Sequence, residues 1–151
     1  MNEKFVAHVN VATPRFPRGD ARIQPFFDGV AAINALAEAS PGFVWRLDDA
    51  DEEAKAEVLF GEPGLVIALS VWESVQALEA FVYRSAHGEY LRQRASWFLP
   101  RSGANKALWW VALDTRPTIT EAQHRLEWLT LNGPGDVAFG FSQGRRQETE
   151  A

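Results

Sequence analysis

"LVIALSVW", Leu65 to Trp72, is nearly continuous in apolar residues. A strand with one face in water alternates apolar and polar side chains, whereas a strand buried on both faces does not. This run therefore predicts a strand of a sheet whose two faces are both covered. Each face of that sheet therefore needs a cover.

Other segments show the period of a strand. "FVAHVNVA" (Phe5 to Ala12) alternates a wholly apolar set with a set that contains His8 and Asn10, so the two faces of this strand differ in chemistry. "ALWWVAL" (Ala107 to Leu113) predicts a further strand, and "FVWRL" predicts a short one. Together with the opening run they indicate a sheet of four strands.

Three helices are predicted between and after the strands. Apolar residues from Gln24 to Ala39 recur at helical spacing, and Ser74 stands at the N-cap position of a second helix. Thr118 and Glu121 have capping-box spacing at the start of a third, which ends in "NG". The acidic "DDADEEAKAEVLFGEPG" predicts an exposed excursion without a place in the core.

In chain order these elements are βαββαβ, then a C-terminal helix and, in "VAFGF", a possible edge strand. The first six form the ferredoxin-like split βαβ pattern of the α+β class. Such a sheet carries helices on one face, so we expect the second cover to be the sheet of another subunit, which closes a dimeric α+β barrel. The alternative is a monomer whose third helix covers that face. One domain is predicted over residues 1–141, with a disordered polar tail over 142–151.

Composition excludes several classes of protein. A chain of 151 residues buries about 70% of its unfolded surface, enough for one core. The net charge of -5 disfavours nucleic acid and anionic membranes as partners, and no apolar stretch is long enough to span a bilayer. Because the chain has no cysteine and its three histidines show no ligand spacing, no metal site is predicted. A cytoplasmic protein is expected.

The candidate site residues lie on the polar face of the strands and on the second helix. His8 and Asn10 share a strand face, as do Ser70 and Trp72, and Arg46 is the best-placed cation for a carboxylate or phenolate. On the helix, Tyr83 and His87 share a face, with Trp97 further along the chain. We expect His87 and His8 to be catalytic and the other six to bind substrate. Each also has a purely structural explanation, namely core packing, a hydrogen bond within the fold or an exposed helix face.

The segment "LSVWESVQALEAFVYRSAHGEYL" resembles the strand-to-helix junction of the dimeric α+β barrel superfamily, which includes the antibiotic-biosynthesis and heme-degrading monooxygenases. "INALAEASPGFVWRL" and "ALWWV" extend the similarity to a bacterial family of that fold, domain of unknown function family 3291. The resemblance implies an Asn and a Trp at the site, at Asn10 and Trp72. The heme ligand of the heme-degrading members corresponds to Leu91, one helical turn beyond His87, which argues against heme.

Three functions follow as hypotheses. The first is a small-molecule-binding protein that acts as a cofactor-independent, monooxygenase-like enzyme on a planar organic substrate. The second is a non-catalytic homodimeric module that binds a ligand or stabilises an assembly, and the third is a heme-binding protein. The fold does not decide among them, because one scaffold supports many functions.

Overall fold

A computed structural model describes residues 4–84 and 93–150 of the chain. Its centre is a four-stranded sheet in the order β2-β3-β1-β4, with every neighbouring pair antiparallel. The strands are β1 (Lys4–Ala12), β2 (Phe43–Arg46), β3 (Val66–Trp72) and β4 (Lys106–Ala112). The helices are α1 (Gln24–Ala39), α2 (Ala50–Phe60), α3 (Val75–Arg84), α4 (Ile119–Asn132) and α5 (Phe141–Glu150), and residues 93–97 form a further short helical stretch.

The two faces of the sheet differ as the alternation in β1 predicts. Ala7, Val9 and Val11 point to one face, which we call the apolar face, and their cross-strand partners include Leu69 and Trp109. The opposite face, which we call the mixed face, carries these side chains: Val6, His8 and Asn10 of β1, Ala68, Ser70 and Trp72 of β3, and Lys106, Leu108 and Trp110 of β4.

Helices of the same chain cover the apolar face. Ala56 of α2 and Leu126 of α4 are buried in one cluster with Val9, Leu69 and Trp109. The capping box of α4 forms as predicted, because the Thr118 hydroxyl accepts a hydrogen bond from the Glu121 amide at 3.1 Å. The prediction that β3 is covered holds on the apolar face, where Leu69 is buried, but not along the whole of the mixed face, where Ala68 is exposed.

The mixed face is covered by α1, α3 and α5. Ala37 of α1, Val75 and Leu78 of α3 and Phe141 of α5 pack with Trp72 and its neighbours. This cluster fills the end of the sheet at which β3 finishes. The other end of the mixed face carries the polar side chains.

The acidic segment differs from its prediction, because residues 50–60 form helix α2. Asp49 caps the helix by accepting from the amides of Asp51 and Glu52, and Gly61 ends it at a positive φ of 68°. Only Ala56 is fully buried within this helix, so its sequence has the composition of an exposed segment. Most of the charges lie on the solvent side of this helix, and Ala56 is the residue that it buries against the core of the sheet.

The predicted disordered tail is also different, since Phe141–Glu150 forms helix α5. The Glu148 carboxylate accepts hydrogen bonds from the amides of Val75 and Gln76 at 2.7 and 3.1 Å, and so caps α3. The Gln147 side chain accepts from the Trp110 indole at 2.7 Å. The possible edge strand before α5 is a single bridge between Phe139 and Leu108.

The expectation of a partner sheet depended on an apolar face without helices. Because α2 and α4 occupy that face, a barrel closed by two sheets would require both helices to leave it. The alternative, in which the third predicted helix covers the face, describes what α4 does. A homodimer stays a prediction, and it no longer follows from an uncovered sheet.

Two adjacent residues of β3 test the assignment of the faces. Leu69→Asp places a carboxylate among apolar side chains, because Leu69 is 2% exposed, and we expect a loss of unfolding free energy of at least about 3 kcal/mol. Ala68→Asp is the matched control, since Ala68 is exposed on the mixed face and a surface change costs within about 0.5 kcal/mol. Urea titration followed by circular dichroism measures both, and equal losses would contradict the assignment.

Glu148 tests whether α5 is part of the fold. Glu148→Ala removes the carboxylate that caps α3, and losing such a cap lowers the unfolding free energy by about 1 kcal/mol. Glu127→Ala, at an exposed glutamate of α4, is the control and should change it by less than about 0.5 kcal/mol. If thermal melting shows no difference between the two variants, α5 is not docked on α3 as described.

Candidate functional site

Two cross-strand rows of polar side chains lie side by side on the mixed face. In one row Arg46 of β2 is opposite Ser70 of β3, which is opposite His8 of β1. In the next row Asn10 of β1 lies between Ala68 and Lys106. Directly opposite residues have Cβ atoms about 4.5–5.5 Å apart, so the register brings these groups into one patch. We call these two rows the polar floor.

The helices leave part of this floor open. Ala68 is exposed although it lies on an inner strand, partly because β2 ends at Arg46 and does not extend alongside it. Helix α1 fully buries only Ala37, and its apolar stripe from Phe26 to Ile33 is half-buried. Part of the polar floor, at Ala68, is therefore exposed to solvent.

Aromatic side chains and a cation stand at the β4 side of the floor. The Phe141 ring lies 5.8 Å from the His8 ring and 5.4 Å from the Tyr83 ring, measured between centroids. The Lys106 ammonium lies 5.7 Å from the centre of the Phe141 ring and 3.5 Å from the Tyr83 hydroxyl. His8 is 8% exposed, while Tyr83 is about half exposed.

Asn10 has an unsatisfied acceptor. Within the part of the chain that the structure describes, its Oδ1 atom is buried and accepts no hydrogen bond. Leaving such a group unpaired costs about 1–3 kcal/mol. Buried polar atoms without partners are uncommon in proteins and often mark a place where a water or a ligand binds.

Arg46, the cation predicted to meet a ligand, is held by carboxylates instead. Its Nε donates to Glu38 of α1 at 2.7 Å, its Nη2 lies 3.5 Å from Asp48, and its Nη1 donates to the Leu47 carbonyl. Burial raises the pKa of Glu53, and the nearby Arg46 charge opposes that shift in part. Arg46 therefore ties α1 to β2 and balances local acids.

Ser70 and Trp72 form a pair within the fold. The Trp72 indole donates to the Ser70 hydroxyl at 3.0 Å, and Trp72 is 1% exposed between the rings of Phe43 and Phe81. Trp72 is a core residue in this geometry. Ser70 is half-buried on the polar floor, with its position fixed by the indole.

Of the two remaining predicted residues, the structure describes only Trp97, which lies away from the polar floor. Trp97 is buried and packs against Phe26 and Phe98 near the end of β1, where Phe98 bridges to Pro14. His87, like the superfamily's ligand position at Leu91, lies outside the described residues.

Lys106 and Phe141 were missed by the sequence analysis. Lys106 has the parity of Leu108 and Trp110, so alternation alone places it on one face with them. Which face this is depends on the register of β4 against β1, which is a tertiary property. Phe141 begins a helix whose other residues are polar, and nothing in the sequence connects it to His8.

Other surface features do not include the predicted residues. A groove of about 440 Å³ runs between the α1–β2 turn and the start of α3, and another of about 460 Å³ lies between the end of α2, residues 100–103 and α4. In the second groove Arg101 is already paired with Glu62. Among residues 4–84 and 93–150, no three acidic or histidine side chains converge as metal ligands would, and no helix has the length and apolarity to cross a membrane.

Comparison with known proteins identifies the family of this chain. Residues 5–151 match the family described as Domain of unknown function (DUF3291), and the chain belongs to that family. No curated protein matches. Among solved structures it is similar to NE2512, a protein of unknown function from Nitrosomonas europaea, with a TM-score of 0.48, 11% identity, and coverage of 78% of this chain and 96% of that one. PA3566 from Pseudomonas aeruginosa gives a TM-score of 0.46, 12% identity, and coverage of 74% and 96%.

Arg46→Met tests the structural role assigned to this arginine. We expect the unfolding free energy to fall by about 1 kcal/mol, as for a partly shielded ion pair. The loss should be largest above the pKa of Glu53 and shrink below it, because a protonated Glu53 has no charge for Arg46 to offset. Denaturant titrations at several pH values measure this. Arg116→Met, at an exposed arginine, is the control, and an equal loss in both variants would contradict the role.

Proposed function

We propose that this protein binds a small, flat organic molecule on the polar floor of the mixed face. The observation that carries the proposal is the exposed Ala68 on an inner strand, beside Asn10 and Ser70 and beneath helices that do not close over it. Ligand sites are concave, largely apolar places with a few converging polar groups, and they are often preformed. The half-exposed Tyr83 ring, which packs edge-on against the buried Phe141, supplies aromatic surface at this one.

The fold we infer for this site is the ferredoxin-like βαββαβ unit with additions. The strand order β2-β3-β1-β4, the antiparallel pairing and the crossovers through α1 and α3 support it. The additions are α2, α4 and α5. Two of them, α2 and α4, cover the apolar face, so the site we propose lies on the mixed face.

Binding, rather than a particular reaction, is the function that the described geometry favours. A monooxygenase-like reaction needs a base in contact with the substrate. His8 is the described histidine at the floor, and it is 8% exposed behind Phe141. Binding alone needs no base in contact with the ligand, because the side chains of the polar floor provide the contacts.

Ala68→Trp tests the site by filling it. We expect a set of flat aromatic fragments, acidic and neutral, to shift the backbone amide signals of Asn10, Ser70 and Lys106 in the wild-type protein. A Trp at position 68 occupies the opening above the floor, so these shifts should disappear. Two-dimensional NMR titration of the labelled protein measures them.

Ala112→Trp is the matched control. Ala112 is also an exposed alanine on the mixed face, but it lies opposite Lys4 at the other end of the sheet. Fragment binding should survive in this variant. Shifts that persist in Ala68→Trp, or that map elsewhere in the wild type, would contradict the proposed site.

A further inference from the structure

We propose that the ligand of this site is an aromatic acid with a hydrogen-bond donor, whose carboxylate is selected by Lys106; this inference rests on the function proposed above. Lys106 is the first residue of β4 and is half-buried on the polar floor directly opposite Asn10. Arg46, the cation expected from the sequence to meet a ligand, is paired with Glu38 and Asp48. The structure assigns that role to Lys106.

Among the described residues Lys106 makes no ion pair, in contrast to three other half-buried cations. Arg46, Arg101 and Arg125 each pair with a glutamate at 2.5–3.0 Å. In the described part of the chain no carboxylate lies within 4.0 Å of the Lys106 ammonium, although the protein carries an excess of five negative charges. A positive charge kept apart from so many acids is available to an anionic ligand.

The surroundings of Lys106 strengthen that attraction. The Tyr83 hydroxyl and the Phe141 ring hold the ammonium at 3.5 and 5.7 Å, and the ring face favours a cation there. Partial burial lowers the local dielectric, so a charge pair formed here interacts more strongly than one in bulk water. A carboxylate that reaches Nζ makes a charge-assisted hydrogen bond, which is stronger than a neutral one.

Asn10 accounts for the second feature of the proposed ligand, its hydrogen-bond donor. Its buried Oδ1 accepts no hydrogen bond from the described residues, so turning this atom toward a ligand breaks none there. The partner that satisfies it is a donor such as a hydroxyl. Asn10 of β1 and Lys106 of β4 lie opposite each other on adjacent strands. One flat molecule can therefore contact both, with its donor and its carboxylate on opposite sides of its ring.

The test compares 4-hydroxybenzoate with 4-hydroxybenzamide, which has the same shape without the charge. Calorimetric titration of the wild-type protein should show the acid binding at least about tenfold more tightly, the size expected of a hydrogen bond to a charged group. Lys106→Met keeps most of the stem and removes the charge, so the preference should disappear. Lys55→Met, on α2 and beyond the apolar face, is the control and should retain it.

A second pair of probes tests Asn10. Benzoate lacks the hydroxyl and should bind the wild-type protein more weakly than 4-hydroxybenzoate, because the Asn10 acceptor then stays unpaired. In Asn10→Ala the two acids should bind alike. An unchanged difference between them overturns the role of Asn10.

The inference on charge fails if the wild-type protein binds acid and amide equally, or if Lys106→Met keeps the preference. Failure of the site itself gives a different result, because Ala68→Trp then leaves the binding of both probes intact. Binding of neither probe to the wild-type protein also overturns the inference. The wild-type comparison of acid and amide needs no variant, so it decides the charge question even if Lys106→Met does not fold.

Discussion

Every part of this structure depends on covering both faces of one small sheet. β1 and β3 are its inner strands. The side chains that β1 places on the apolar face, Ala7, Val9 and Val11, are all buried. Burying such side chains stabilises a fold by about 1.5–3 kcal/mol each, so water on that face would be destabilising. Helices α2 and α4 meet this requirement on the apolar face. On the mixed face it is met only in part, since Ala68 is exposed.

The mixed face is covered less completely, and the site we propose lies on its exposed part. At one end Trp72, Leu78 and Val75 make a closed core, and α5 locks α3 through the Glu148 carboxylate. At the other end α1 stays half-buried and Ala68 remains exposed over Asn10. One sheet thus carries a closed half and a half with exposed side chains. In the site we propose, the polar groups lie on strands whose opposite face is buried.

Alternation and capping signals in the sequence predicted several elements of the fold. The period in β1 separated His8 and Asn10 from the apolar set, and the helix predicted from Gln24 to Ala39 has the observed bounds. The capping box at Thr118 located α4. These signals are local, since each depends on residues within a few positions of one another. The structure reproduces them for that reason.

The missed features depend on contacts between different elements of the structure. α5 is polar in sequence, and it is held by Glu148 on the amide of Val75 and by Arg145 on Glu79, partners more than sixty residues away. Helix placement brings Glu38 to Arg46. Strand register places Lys106 on the polar floor. Periodicity within one segment contains no information on such contacts.

Solvent accessibility of alanine methyl groups tests the division of the faces most directly. A soluble gadolinium chelate broadens the methyl signals that water reaches, and the alanines of the sheet report on both faces. The account predicts strong broadening for Ala68 and protection of Ala7 and Ala107 on the apolar face, unchanged when the protein is diluted. Broadening of Ala7 and Ala107 on dilution would show that a partner, rather than α2 and α4, covers the apolar face. Protection of Ala68 would show that the polar floor is closed, and would contradict the site.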